Sequence, residues 1–316
     1  VKYGTPRENT VGLAAVTGTG EAIRTGVFTT KGVVGYDLTR LIIGSEGTLA
    51  LITSATLKLT PLTEAKRTLR ATYRNIHSAA DAVAAIMAQP ITPCALEFMD
   101  AAAIEMVRSF SDLNVPPETG ALLMIEVDGP ANCVAAAAEA VSEAARNDGL
   151  LELSIAADRD EITALWHTRK ALSPALRHVA PKKINEDVVV PVSRIAEFID
   201  GLERLSRDLA IRIVNFGHAG NGNIHVNLLV NPDDADEMQR AEQALSAVFD
   251  LVVALDGTLS GEHGVGLEKR DFVDREIDPV ALRLMRDIKQ QFDPNGILNP
   301  GKGLPLALQD AKSSQS

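Results

Sequence analysis

A strand–turn–strand pattern that contains two histidines most restricts the fold of this chain. Residues 212–218 and 224–230 are typical of strands, and the Gly-Asn-Gly between them is typical of a turn with positive φ. Side chains alternate along a strand, so the apolar residues of the second strand would share one face while His225 and Asn227 project from the other. The pattern therefore predicts an antiparallel hairpin that brings His218 near His225.

A second glycine-rich segment, Gly-Glu-His-Gly-Val-Gly at 261–266, supplies a carboxylate and a third histidine, so that half of the chain's six histidines lie in these two segments. Two imidazoles and one carboxylate form a three-ligand site with open positions, which is typical of a catalytic metal. We therefore predict that His218, His225 and Glu262 bind a divalent metal. In an extended segment His263 would point away from the metal and could act as a base.

A long amphipathic helix is predicted after the acidic residues 158–161, with apolar residues at helical spacing from Ile162 to Leu176. Arg169 falls on the apolar stripe of this helix, where an unpaired guanidinium is costly. Its partner could be a substrate carboxylate or a structural carboxylate, or the side chain could extend to solvent. Residues 181–187 are expected to lead into a strand at 188–190, and a lysine there, such as Lys183, could help to hold a carboxylate.

The turn Gly-Ser-Glu-Gly-Thr at 44–48 offers backbone amides and hydroxyls, and a β-rich run follows it to Leu59. On its own such a turn is a weak indication of phosphate or cofactor binding. The turn lacks the Gly-Lys-Ser/Thr ending of a P-loop and the G-x-G-x-x-G pattern of a Rossmann fold. Those two nucleotide-binding classes are therefore excluded for this segment.

Together with Lys-Tyr-Gly at 2–4 and Phe-Asp-Pro-Asn-Gly-Ile-Leu-Asn-Pro-Gly-Lys at 292–302, these motifs cover nearly the whole chain. In this order they resemble the flavin-dependent 2-hydroxyacid dehydrogenases of the vanillyl-alcohol oxidase superfamily. The resemblance implies an α+β chain: the C-terminal part of an FAD-binding domain, followed by an α+β substrate domain with an antiparallel sheet covered by helices. The pyrophosphate loop of the family lies upstream of Val1, so an N-terminally truncated member is expected.

The resemblance also implies a role for each matching residue. His218, His225 and Glu262 would bind zinc or manganese, with iron as a further alternative, and His263 would be the general base. Arg169 and Asn227 would contact substrate, and a family lysine that also does so corresponds to either Lys183 or Asn185. The expected FAD contacts are Ser45, Glu46, Gly47, Thr48, Ile52 and Asn299.

The reaction implied is FAD-dependent oxidation of a D-2-hydroxy acid of the lactate, glycolate or 2-hydroxyglutarate type to the 2-keto acid. The metal would assist deprotonation of the hydroxyl, and the hydride would pass to flavin N5. A separate quinone, cytochrome or electron-transfer flavoprotein would reoxidise the flavin. The alternatives are a metal-dependent hydrolase and a non-catalytic metal-binding subunit module, and the 316-residue chain alone is expected to be inactive.

The composition restricts the kinds of partner that the chain is expected to bind. The net charge of −11 and the pI near 5.1 disfavour nucleic acid, and an anionic substrate would need positive charge supplied locally by the site. Cys94 and Cys133 lack metal or redox spacing, which indicates a reduced, cytoplasmic protein. No apolar run is long enough to predict a transmembrane segment. The sequence is compatible with peripheral membrane association and with homo- or hetero-oligomers.

Three regions are predicted along the chain. Residues 1–62 are β-rich and correspond to the C-terminal part of the FAD-binding domain, without its pyrophosphate loop. Residues 63–305 alternate strands with alanine-rich helices and correspond to the substrate and metal domain, with a strand at 121–127 and helices at 131–147 and near 278–292. Residues 306–316 form a polar tail.

Overall fold

The computed structural model describes residues 1–29, 31–108 and 114–305, and the predicted polar tail at 306–316 lies outside them. The strands are β1 (Thr10–Thr17), β2 (Ala22–Gly26), β3 (Ala50–Leu57), β4 (Ala65–Tyr73), β5 (Ala95–Asp100), β6 (Ala121–Gly129), β7 (Leu150–Ile155), β8 (Lys182–Val189), β9 (Arg212–His218) and β10 (Asn223–Val230). The helices are α1 (Pro6–Asn9), α2 (Leu38–Ile42), α3 (Ile76–Ala88), α4 (Ala101–Arg108), α5 (Val134–Ala144), α6 (Arg159–Val179), α7 (Ile195–Leu209), α8 (Ala235–Ala254) and α9 (Pro279–Phe292).

The chain folds into two compact units. The first unit comprises Val1–Lys2 and Leu62–Gly261, and the second comprises Tyr3–Pro61 and the chain from Glu262 onward. The last part of the predicted 63–305 region therefore belongs to the same compact unit as the N-terminal residues.

The first unit is built on a seven-stranded sheet with the order β7-β4-β6-β5-β9-β10-β8. Every neighbouring pair in this sheet is antiparallel. This sheet and its helices confirm the predicted α+β class. The hairpin of β9 and β10 also has the predicted strands, with Asn223 paired to His218 at the turn.

The two faces of this sheet differ in chemistry. Cross-strand partners share a face, and the register joins Glu97 to His218 and joins His225 to Asp187. These polar residues therefore project from one face, which we call the site face. The helices α4 and α6 pack on the apolar parts of the site face, in a cluster that includes Met99, Leu122, Leu165, Leu172 and Phe216. The site face thus combines buried polar side chains with a local apolar cover.

The predicted bounds of the strand at 188–190 are wrong. It begins six residues earlier, because β8 pairs with β10 continuously from Lys182 opposite Val230 to Val189 opposite Asn223. Charged and amide residues interrupt the apolar pattern of this edge strand, so its sequence resembles that of a loop between two elements. Lys183 and Asn185 consequently lie within the sheet, opposite Leu229 and Asn227.

The second unit contains a three-stranded antiparallel sheet with the order β2-β1-β3. Its small core includes Leu13 and Ile42. The helix predicted near 278–292 is confirmed as α9, and the buried Asp293 follows its last residue. Asp293 accepts hydrogen bonds from the Lys289 ammonium and from the Leu298 amide, which holds the residues after the helix in place.

Asp100 extends the short contact between β5 and β9. Its carboxylate accepts hydrogen bonds from the backbone amide of Asn215 (2.9 Å), from the Asn215 side chain (2.8 Å) and from the Ala103 amide at the start of α4 (2.7 Å). Burial raises the pKa of Asp100 to about 7. One carboxyl group thus joins two strands and a helix, and ionisation of that group carries a cost.

This pKa predicts a specific pH dependence of stability. The folded-state pKa lies above the ordinary value of 3.8, so the stabilising contribution of Asp100 is fully present below about pH 4 and is lost as the pH rises through about 7. The slope is at most about 1.4 kcal/mol per pH unit. Urea unfolding at several pH values should show that the stability advantage of the wild type over Asp100→Asn shrinks between pH 4 and 7. If the difference in stability between the wild type and Asp100→Asn does not change with pH, the raised pKa of Asp100 is wrong.

Candidate active site

The hairpin of β9 and β10 places His218 and His225 side by side. Their ring centroids lie 5.3 Å apart with the ring planes at 82°, and a nitrogen of one ring lies within 4.8 Å of a nitrogen of the other. His225 is buried, whereas about a third of the His218 side chain is exposed. The separation of these two nitrogens is comparable to the span of two metal–nitrogen bonds of about 2.0–2.1 Å each. The two imidazoles therefore fit one metal ion.

The turn between these strands depends on Gly222. Its φ is +72°, and a Cβ there would lie 1.9 Å from the carbonyl oxygen of Val190. Both the left-handed backbone and the close approach exclude a side chain. The sequence predicted positive φ within 220–222, and in the structure Gly222 alone among those three residues adopts it.

Glu97, at the centre of the site face, was not identified from the sequence. One of its carboxylate oxygens lies 2.6 Å from Nδ1 of His218, and the other accepts a hydrogen bond of 2.9 Å from Nε of Arg169. Burial alone would raise the pKa of Glu97, but the hydrogen bond and charge of His218, together with Arg169, hold that pKa below its ordinary value. Glu97 is therefore an ionised, buried carboxylate at neutral pH.

Arg169 lies on α6, which begins as predicted with Asp158 accepting hydrogen bonds from the amides of Asp160 and Glu161. Besides the ion pair with Glu97, the Arg169 guanidinium lies 4.7 Å from the centroid of the Phe216 ring. Of the alternatives open from the sequence, the structure shows pairing with a carboxylate of the chain itself. The additional substrate contact of Arg169 stays a prediction.

Asn227 is fully buried and its side chain is used within the sheet. Its Oδ1 accepts a hydrogen bond from Asn185, and its Nδ2 donates to the carbonyl oxygens of Val214 and His225. This network orders the strand that carries His225. Lys183 lies two residues before Asn185 on the same face of β8, and it is partly exposed.

Asp187 is a second buried acid that the sequence did not single out. It is the cross-strand partner of His225, and it accepts hydrogen bonds from the Ser260 hydroxyl (3.3 Å) and from the Gly261 amide (2.9 Å). Glu262 follows Gly261 directly in the chain. Asp187 thus fixes the backbone at the start of the Gly-Glu-His-Gly-Val-Gly segment.

In the second unit, Glu262 and His263 present neighbouring side chains, each about half exposed, with Oε1 and Nε2 3.9 Å apart. The Gly-Val-Gly that follows is joined to the predicted flavin turn, because the Glu46 carboxylate accepts hydrogen bonds of 2.7 Å from the amides of Val265 and Gly266. The carboxylate of Glu46 therefore holds one predicted motif against another.

The remaining predicted FAD residues also lie in the second unit. Asn299 donates a side-chain hydrogen bond to the backbone carbonyl of Glu46, and both residues have positive φ. Thr48 donates a hydrogen bond from its hydroxyl to the carbonyl of Ser45, and Ile52 lies on β3. A cavity of about 300 Å³ in this unit is lined in part by Ser45, Glu46, Thr48, Arg40 and Lys289. Apolar side chains, among them Ile43, Leu49 and Ile288, line the rest of this cavity.

No helix in the described ranges is both long enough and apolar enough to cross a membrane.

The sequence matches the family described as FAD linked oxidases, C-terminal domain, over residues 62–303. The glycolate oxidase subunit GlcD of Bacillus subtilis (strain 168) is 38% identical over 302 residues, which cover 96% of this chain and 64% of that protein. The D-lactate dehydrogenase of Anaerostipes hadrus is 34% identical over 314 residues, which cover 96% of this chain and 65% of that protein. The chain thus spans slightly less than two thirds of each relative.

Solved structures show the same fold at low sequence identity. p-Cresol methylhydroxylase with substrate bound has a TM-score of 0.73 and 14% identity, over 94% of this chain and 65% of that chain. The 4-ethylphenol oxidase from Gulosibacter chungangensis has a TM-score of 0.69 and 16% identity, over 96% of this chain and 67% of that chain. The predicted resemblance is confirmed, and the chain belongs to the FAD-linked oxidases, whose C-terminal domain it carries at residues 62–303.

Proposed function

We propose that the full-length protein oxidises a D-2-hydroxy acid to the 2-keto acid with FAD and a divalent metal. The observation that carries this proposal is the group of His218, His225 and Glu97 on the site face of an FAD-linked oxidase, with Arg169 of α6 bonded to Glu97. Two imidazoles suit a metal, and a guanidinium suits a carboxylate. Relatives named for glycolate and D-lactate support a small 2-hydroxy acid as substrate.

Each predicted residue has a distinct task in this proposal. His218, His225 and Glu262 hold zinc, manganese or iron, and His263 takes the proton of the substrate hydroxyl. Arg169 holds the substrate carboxylate and Lys183 supports this contact, while Asn227 helps to orient the substrate indirectly, through the hydrogen bonds that order the strand of His225. When bound, FAD supplies the two-electron acceptor and the metal supplies a Lewis acid. The residues that hold FAD are Ser45, Glu46, Gly47, Thr48, Ile52 and Asn299.

An anionic substrate requires positive charge that the site itself supplies. The chain as a whole carries a net charge of −11, so a hydroxy acid is not attracted by the overall field. Arg169 is paired with Glu97, and this bond takes one of the five N–H donors of the guanidinium. The remaining donors and the metal are the positive groups that we assign to the substrate. The arginine is desolvated, which strengthens an interaction with a carboxylate.

The electron acceptor and the assembly are parts of the same proposal. The oxidised form of the flavin must be regenerated by a quinone, a cytochrome or an electron-transfer flavoprotein. The Bacillus subtilis relative is named as a subunit, which supports a hetero-oligomer for this protein as well.

The proposal is tested by mixing the metal-loaded, full-length flavoprotein with substrate in the absence of oxygen. D-Lactate, glycolate or D-2-hydroxyglutarate should bleach the flavin absorbance within the time of turnover, and the L-enantiomers of the chiral acids should not. A flavoprotein that none of these acids reduces would overturn the proposed reaction. Hydrolysis by a metal-loaded, flavin-free protein would instead support the hydrolase alternative.

A substitution at Arg169 tests the assignment of the substrate carboxylate. Arg169→Met keeps most of the stem volume and removes the guanidinium, so kcat/KM should fall by the equivalent of about 2–5 kcal/mol. Arg70→Met is a matched control, because Arg70 is similarly buried on the site face and pairs with Glu152 instead. Steady-state kinetics with D-2-hydroxy acids measure the difference. Equal kcat/KM values for the two variants would show that Arg169 has a structural role and does not bind the substrate carboxylate.

A further inference from the structure

We propose that Glu97 is a positioning residue that fixes His218 in its metal-binding tautomer and at the same time holds Arg169 for the substrate. The metal and substrate roles of those two residues rest on the proposed function. The position of Glu97 does not, because it is a contact within one sheet and its adjoining helix.

The tautomer follows from the chemistry of the contact. The Glu97 carboxylate is ion-paired with the Arg169 guanidinium, and such a carboxylate accepts hydrogen bonds, so Nδ1 of His218, 2.6 Å from its other oxygen, carries the proton. In a neutral imidazole the other nitrogen, Nε2, then has the lone pair that a metal requires. A carboxylate that binds the far nitrogen also orients the ring and makes it a better ligand. Without Glu97, the His218 ring could rotate or take the tautomer that cannot bind metal through Nε2.

The second oxygen of Glu97 constrains Arg169. Its bond to Nε fixes one donor of the guanidinium, and the Cζ atom of Arg169 lies over the Phe216 ring, 4.7 Å from the ring centroid. An arginine that is held by these two contacts has lost part of its conformational freedom before substrate arrives, which lowers the entropic cost of binding. Glu97 also compensates the charge of a side chain that is only 14% exposed.

The two contacts use different oxygens of one carboxylate, and this makes Glu97 more than an ion-pair partner. A glutamine at this position has one accepting oxygen and one donating amide group. Whichever way it is oriented, it can accept a hydrogen bond from His218 or from Arg169 but not from both. Glu97→Gln is therefore expected to disturb both functions with almost no change in shape.

Glu126 provides a matched control. It is a buried carboxylate on the same face of the adjacent strand β6, and it pairs with Lys66 and Thr68 rather than with His218 or Arg169. Glu126→Gln removes the same charge from the same layer. Any effect common to both variants is a general cost of losing a buried carboxylate, and the excess in Glu97→Gln measures the positioning role.

The first measurement reads the tautomer in the metal-free wild-type protein by long-range ¹H–¹⁵N NMR of the histidine rings. His218 should be protonated at Nδ1. Glu97→Gln should populate the Nε2–H form, Glu97→Asp should restore the wild-type signature at least in part, and Glu126→Gln should not change it. His218 protonated at Nε2 in the wild type would overturn the proposal without any variant, and this readout is independent of whether the protein oxidises hydroxy acids.

The second measurement is zinc affinity of the full-length protein by competition with a chelator. Glu97→Gln should bind zinc about 10–100-fold more weakly, as is usual when a residue that orients a metal ligand is lost, and Glu126→Gln should bind as the wild type does. Substrate KM should also rise in Glu97→Gln at saturating zinc. An affinity loss that is no greater than in Glu126→Gln would overturn the proposal. A wild type that binds none of zinc, manganese and iron would count against the proposed function while leaving the tautomer result valid.

Discussion

Replacement of His263 by asparagine in the full-length protein should lower kcat by about 10²–10⁴-fold, the usual contribution of a general base. Asparagine keeps a polar side chain of similar size but cannot take up the hydroxyl proton. The His263 side chain is about half exposed in the second unit and is not among the proposed metal ligands, so metal and FAD should stay bound. Stopped-flow flavin reduction measures the chemical step directly.

The control for this variant is His77→Asn. His77 lies at the start of α3, is largely exposed and pairs with Asp200 of α7, so its substitution should leave flavin reduction at the wild-type rate. Metal analysis decides between the two roles of His263. If His263→Asn loses metal together with activity, His263 is a metal ligand and not only a base.

Replacement of both His218 and His225 by alanine should abolish stoichiometric metal binding and reduce activity to background. These residues supply two of the three proposed ligands, and substitutions of residues that merely orient ligands already cost about 10–100-fold. Elemental analysis by mass spectrometry measures the metal content after dialysis against a weak chelator. FAD content should not change, because the proposed FAD residues lie elsewhere in the sequence.

Circular dichroism provides the structural control for this double variant. The β9–β10 turn depends on Gly222 rather than on either histidine, so the far-ultraviolet spectrum should match that of the wild type. Full metal occupancy in a correctly folded double variant would remove His218 and His225 from the ligand set.

The parts of the fold that the sequence predicted are local. The β9–β10 hairpin is determined by alternation and by a turn that needs positive φ at Gly222, all within 19 residues. The start of α6 is determined by the capping carboxylate of Asp158. Such signals depend on neighbours in the chain, so they are visible without knowledge of tertiary contacts.

The parts that escaped prediction depend on contacts between distant segments. Glu97 lies 121 residues before His218, in a strand of ordinary composition, and nothing in its neighbourhood indicates that β5 pairs with β9. Asp187 was similarly obscured, because β8 is an edge strand whose charged residues interrupt its apolar alternation. Strand register brings these acids to the histidines, and register between distant strands is not encoded in a short motif.

The predicted FAD residues came from the family resemblance and not from strand or helix patterns in the sequence. The FAD residues form no pattern that would identify a flavin site from the sequence alone, whereas the order of the motifs along the chain identified the family. The structure adds that Glu46 uses its carboxylate for the amides of Val265 and Gly266. Part of that motif therefore maintains the shape of the second unit.

The closeness of His218 and His225 along the chain affects how metal and folding are linked. The two imidazoles are only seven positions apart, so the entropic cost of bringing them together is small even in the denatured chain. Metal should therefore bind the denatured ensemble in addition to the native state. Because stabilisation by a ligand depends on the difference between these two affinities, added zinc should raise the melting temperature less than its native-state affinity alone would indicate.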